Sequence, residues 1–166
     1  MKTLLIIRHA KSSWDNSIIN DVDRPLNERG KRDAPAMARR LIKTNVKIDL
    51  FVSSPAKRAR NTAALFIGEY GRSEKEILFI PELYHASVQT FKDTVTGLDD
   101  KYGSVALFSH NPGITAFVNS LTSVALDNMP TCGVFAVTSL ATHWKEFPSA
   151  GATFWFFDYP KATGGS

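Results

Sequence analysis

Residues Thr3 to Ile7 (Thr-Leu-Leu-Ile-Ile) form an unbroken apolar run rich in branched side chains, and Arg8 and His9 follow it directly. A run that is apolar at every position, rather than at alternate ones, fits a strand covered on both faces. Such strands belong to parallel sheets with helices on either side. Arg8 and His9 then stand where a central strand emerges at its C-terminal edge, the edge at which open α/β sheets bind their ligands. An arginine there offers a planar cation for an oxyanion. The adjacent histidine offers a nitrogen that serves as base or nucleophile. The dipeptide alone is weak evidence, because such pairs at strand ends are more often ordinary surface residues, so the rest of the chain has to decide.

The remaining sequence alternates strand and helix signals. Lys11 to Asp23 is polar and reads as a loop over the sheet edge, with Trp14 as a loop anchor or lid contact. Asn27 is a good N-cap for a helix whose apolar face is Ala34, Met37, Ala38, Leu41 and Ile42. Pro35 sits inside that helix and either kinks it or marks its start. Leu50 to Val52 is a second strand, and Ser53-Ser54-Pro55 is a strong start for a helix reaching Tyr70. Arg58 falls in the first turn of that helix, where a cation opposes the helix dipole unless an anion is bound there. Ile77 to Ile80 is a third strand and Val88 to Asp100 a helix. Ser104 to Ser109 is a fourth strand, followed at once by His110-Asn111-Pro112-Gly113 and a helix to Ser123. Gly133 to Thr138 and Thr153 to Phe157 read as an antiparallel pair. The expected fold is therefore a three-layer α/β/α sandwich with a mostly parallel sheet and an antiparallel edge strand. It forms one domain over residues 1–160, with 161–166 as a frayed tail.

Composition narrows the function classes. The chain has 166 residues, 20 basic and 16 acidic, and a net charge of +4, a mild excess that favours anionic ligands. Its lysines and arginines are scattered rather than gathered into the stripe that nucleic-acid binding needs. One cysteine, Cys132, rules out an intramolecular disulfide and most cysteine-based metal sites. The apolar stretch before Arg8 is too short for a signal peptide, and no run of 18 apolar residues occurs. The cytoplasm is the expected location, with neither membrane nor nucleic acid as partner.

Arg8, His9, Arg58 and His110 all fall at one edge of the expected sheet. Two arginines and two histidines beside a helix N-terminus describe a cage for a phosphoryl dianion. No metal-ligand spacing, phosphate-binding glycine loop or serine elbow occurs in the sequence. Neither a metal nor another cofactor is expected, and the cationic side chains must neutralise the developing charge themselves.

The segments Arg8-His9-Ala10, Ser54-Pro55-Ala56-Lys57-Arg58-Ala59 and Ser109-His110-Asn111-Pro112-Gly113 resemble the signatures of the histidine phosphatase (phosphoglycerate mutase-like) superfamily in order and spacing. Pro25-Leu26-Asn27-Glu28-Arg29-Gly30 resembles the family's helix entry, and the short length is most similar to SixA-type phosphohistidine phosphatases. The resemblance implies that His9 is the nucleophile, with Arg8, Arg58 and His110 holding the phosphoryl oxygens. Asn111, and also Asp15 or Ser17, are candidates for orienting the phosphate. Glu82 stands about where larger members carry a general acid, but Pro-Glu-Leu-Tyr is not the mutase pattern, so acid and surface carboxylate stay open. His85 and His143 read as surface or structural histidines, and Trp144 and Trp155 as packing. The substrate so implied is a phosphohistidine protein. A small phosphorylated metabolite, a mutase reaction and a non-catalytic phosphate-binding module are the alternatives.

Overall fold

In the computed structural model, which describes residues 1–15 and 19–162, the opening apolar run lies in a central strand, β1 (Lys2–Arg8). The other strands are β2 (Leu50–Ser53), β3 (Leu78–Phe79), β4 (Ser104–Ser109), β5 (Val134–Ser139) and β6 (Thr153–Asp158). They form one sheet in the order β3-β2-β4-β1-β5-β6. The first four run parallel, whereas β5 opposes β1 and β6 opposes β5. The expected antiparallel edge is thus a pair of strands, in which β5 is the reversed one and β6 lies outermost.

Side-chain alternation along β1 builds both layers. Leu5 and Ile7 pack against α1 (Glu28–Lys43) and α2 (Lys57–Glu69). Leu4 and Ile6 pack against α3 (Val88–Thr96), α4 (Gly113–Asn119) and α5 (Phe147–Ala150). All four are fully buried, each contributing on the order of 1.5–3 kcal/mol of apolar burial.

Several boundaries differ from the sequence reading for identifiable reasons. Asn27 caps α1 as expected, its side chain accepting from the Gly30 amide at 2.9 Å, and Pro35 lies inside the helix without ending it. The Ser-Pro start of α2 is displaced. The Ser54 hydroxyl accepts from the Ala56 amide at 3.2 Å, and the helix begins at Lys57. α3 stops at Thr96 because Gly97 closes it, four residues short of the expected Asp100. The Lys11–Asp23 segment is not all irregular, since Ser12 bridges Leu26 and Asp21–Asp23 form a 3₁₀ turn. At the other end of the chain, Arg40 donates to the Tyr159 and Pro160 carbonyls, and residues 163–166 of the expected tail lie outside the described residues. No helix among the described residues is long and apolar enough to cross a membrane.

Candidate active site

Strand register brings the site together. β1 pairs with β4 so that Arg8 lies opposite Ser109, and β2 pairs with β4 so that Ser53 lies opposite Phe108. Three strands therefore end level, and the residues that follow them, His9, Ser54 and His110, are neighbours. After β1 the chain crosses to the α1–α2 layer, and after β4 to the α3–α4 layer. That divergence opens a crevice between the two strand ends, the switch point at which such sheets bind ligands. The His9 and His110 rings stand there with centroids 5.2 Å apart.

A hydrogen bond fixes the tautomer of His9. His9 Nδ1 lies 2.7 Å from the Ala10 carbonyl, which can only accept, so Nδ1 carries the proton and Nε2 keeps its lone pair. Ala10 is itself fixed, its amide donating to Thr62 Oγ1 at 2.9 Å while that hydroxyl donates to the Arg58 carbonyl at 2.7 Å. Ser54 Oγ accepts from the Ala56 amide and lies 2.7 Å from His110 Nε2, a contact in which either group can donate. His110 Nδ1, Arg8 Nε and Arg58 Nε are buried and have no hydrogen-bond partner among the described residues. Two orphaned guanidinium donors and a free ring nitrogen on the residues surrounding His9 fit a ligand rich in acceptor oxygens.

Both histidines are held neutral. Burial is the main cause, reinforced by the nearby guanidinium groups, and it pushes His9 down to about 3. His110 falls to about 2 through burial, His9 and Arg58. A neutral imidazole with a free Nε2 lone pair, inside a cationic surround, is a nucleophile aimed at an electrophilic anion.

The expected residues divide into two groups. Arg8, His9, Arg58 and His110 come together, all at the same strand edge. Glu82 does not join them. It is exposed and lines the groove between β3 and α3 with Leu78 and Asp93. Asn111 spends its amide donors on Asn128 and the Met129 carbonyl and accepts from Thr115, so it holds the loop whose carbonyl receives Arg8 Nη1 at 2.8 Å. Asp15 is exposed, with its amide bonded to Ser13, and Ser17 lies outside the described residues.

Sequence reasoning missed Asp21, Arg24 and Tyr84. Asp21 accepts from Arg58 through its carbonyl at 2.7 Å and its carboxylate at 3.1 Å, and from Arg24 and Tyr84 as well. Those donors, Tyr84 foremost, hold its carboxyl far below the usual carboxylate range. Arg24 is buried, donates to Ser12 Oγ at 2.7 Å, and lies 3.6 Å over the exposed ring of Trp14. Its place in the Arg-Pro-Leu-Asn segment was a usable signal; a lone aspartate in a polar loop was none. His85 is exposed, and its ring lies against that of Tyr84, tilted by 37° with centroids 4.0 Å apart. Trp144 packs in the core as expected, but Trp155 stands 46 % exposed on the outer strand.

Comparison with known proteins agrees with this geometry. A family model for the histidine phosphatase superfamily (branch 1) matches residues 4–85. A Mycobacterium leprae protein of uncharacterised function is 30 % identical over 93 % of this chain and 100 % of its own length. The protein histidine phosphatase SixA, solved as a tungstate complex, shares the fold with a TM-score of 0.80 at 24 % identity, covering 95 % of this chain and 97 % of that one. Mycobacterial glucosyl-3-phosphoglycerate phosphatase does so with a TM-score of 0.67 at 16 % identity, covering 96 % and 98 %. The strand-end histidines and the family match lead to one assignment: this chain belongs to the histidine phosphatase superfamily, with the fold of its SixA-type members.

Proposed function

We propose that the protein is a phosphatase that transfers a phosphoryl group to His9 and then to water, with a phosphohistidine protein as its substrate. The observation carrying this reading is the pair of orphaned donors, Arg8 Nε and Arg58 Nε, with the unpartnered His110 Nδ1, around a neutral His9. In the first step His9 Nε2 attacks phosphorus. The bond from phosphorus to the leaving group breaks, and its electron pair goes to that group. A substrate imidazole protonated on its other nitrogen leaves as a neutral ring. The Nδ1–H bond to Ala10 supports the positive charge that the phosphorylated His9 ring acquires. In the second step water adds to phosphorus, the electron pair of the P–N bond returns to Nε2, and the water protons leave with phosphate.

The carboxylates favour a good leaving group. Asp21 is ionised and bound to Arg58, and Glu82 lines another groove, so neither is placed to protonate an alkoxide. The likeness in fold to SixA supports the same substrate class. No metal takes part in this scheme.

Rapid quench with a ³²P-labelled phosphohistidine protein tests the assignment, with a phosphoserine peptide and small phosphomonoesters run beside it. The wild-type protein should carry an acid-labile phosphoryl group on His9, and chelators should leave its turnover unchanged. His9→Ala should be inactive and unlabelled. His110→Ala should lose roughly 2.7–4 kcal/mol of transition-state stabilisation, as for an oxyanion-hole donor, yet still label at His9. Label on His110 in the wild-type protein, or a full burst in His9→Ala, would overturn the roles.

A further inference from the structure

The cage receives the phosphoryl group alone, and the remainder of the substrate has to lie beside it. A cavity of about 440 Å³ opens there, with His110 forming part of its wall. Tyr84, His85, Val88, Pro112 and Ala116 form most of the rest, and among the described residues no lysine, arginine, aspartate or glutamate lines it. Its aromatic wall is held in place from three sides. The Tyr84 hydroxyl donates to Asp21, its ring meets His110 edge-on with centroids 5.7 Å apart, and His85 lies against it. The junction between α4 and the 84–88 segment is equally tight, since a Cβ on Gly113 would stand 2.0 Å from the Ala86 carbonyl oxygen.

We propose that this cavity is a leaving-group slot that takes a planar, uncharged ring attached to the transferred phosphoryl group, and disfavours leaving groups with a second anionic charge. The proposal rests on the phosphatase reading above. A flat ring laid on Tyr84 and His85 gains stacking and apolar burial together. A carboxylate or second phosphate would meet no lysine or arginine among the described lining residues and would lose part of its hydration there. Imidazole and phenyl groups share the favoured chemistry; phosphorylated sugar acids and bisphosphates do not.

Non-hydrolysable phosphonates separate the slot from the chemistry. Titration calorimetry on the intact protein should show phenylphosphonate binding roughly tenfold tighter than methylphosphonate, the gain expected of a stacked, buried ring. Phosphonoacetate, which adds a carboxylate, should bind no tighter than methylphosphonate. Ala116 lies on the exposed face of α4, so Ala116→Trp fills the slot without entering the core. It should bring the phenyl-to-methyl ratio to within about twofold. Equal binding of the two by the wild-type protein, a ratio that survives Ala116→Trp, or a preference for phosphonoacetate would each overturn the slot. A wild-type protein that keeps the phenyl preference but forms no phosphohistidine would sink the phosphatase reading and support the slot.

Discussion

His9 depends on residues that never touch a substrate. Its Nδ1–H is aimed by the Ala10 carbonyl, Ala10 is held by Thr62, and Thr62 also holds the carbonyl of Arg58. One fully buried hydroxyl therefore ties the nucleophile to a cage arginine. Thr62→Val keeps the shape but leaves the Ala10 amide without an acceptor, which costs about 1–3 kcal/mol. Thermal denaturation should show that loss, and kcat/KM should fall with it, whereas Thr62→Ser should retain most of both. A Thr62→Val protein with unchanged kcat/KM would show that the Ala10 contact does not orient His9. None of this chain of contacts was legible in the sequence, because threonine in a helix carries no signal for the strand end 52 residues earlier. Arg8, His9, Arg58 and His110 were legible because each adjoins a recognisable boundary, a strand end or a helix start. Asp21 adjoins neither, and its meaning arises only when Arg58, Arg24 and Tyr84 converge on it.

At the scale of elements, the entry to α1 shows how local chemistry fixes distant geometry. The Asn27 amide donates to the Lys11 carbonyl, and the helix begins so close to that residue that a Cβ on Gly30 would stand 2.2 Å from the Lys11 oxygen. The neighbour is backbone, which cannot swing aside. Gly30→Ala must push α1 away from the segment that follows His9, with an overpacking cost of about 1–3 kcal/mol. Gly68 provides the contrast, since it lies in α2 and a methyl group added there would meet nothing within 4 Å. Gly68→Ala should stabilise the fold by roughly 0.5–1 kcal/mol, because alanine loses less backbone entropy in a helix. Chemical denaturation of the two variants should give shifts of opposite sign. The order of the strands and of α1 to α4 was readable from the sequence, including the α1 cap and the full span of β4, whereas the short α5 was not. The start of α2 was not, because Ser54 looked like a helix cap while its hydroxyl serves Ala56 and His110.

The whole molecule carries the cost of keeping two adjacent histidines uncharged. His9 and His110 are each only 6 % exposed, and their protonation is suppressed to about 3 and about 2 in the fold. In the unfolded chain an imidazole protonates near 6.5. Below that pH the unfolded state binds protons that the folded state refuses, so stability is present above 6.5 and drains away as pH falls toward 3. Each histidine contributes a slope on the order of 1.4 kcal/mol per pH unit in that window. Asp21 acts in a separate range, because its depressed carboxyl stabilises the fold only above its ordinary value of 3.8 and loses that contribution below it. Between pH 6.5 and 4 the histidines therefore set the trend. Equilibrium denaturation across that range should show stability falling with a slope near two protons for the wild-type chain. His110→Gln, which keeps a polar side chain beside Ser54, should reduce the slope to near one proton. A wild-type stability that stays flat between pH 6.5 and 4 would mean that His9 and His110 charge freely inside the fold, and the neutral nucleophile would go with it.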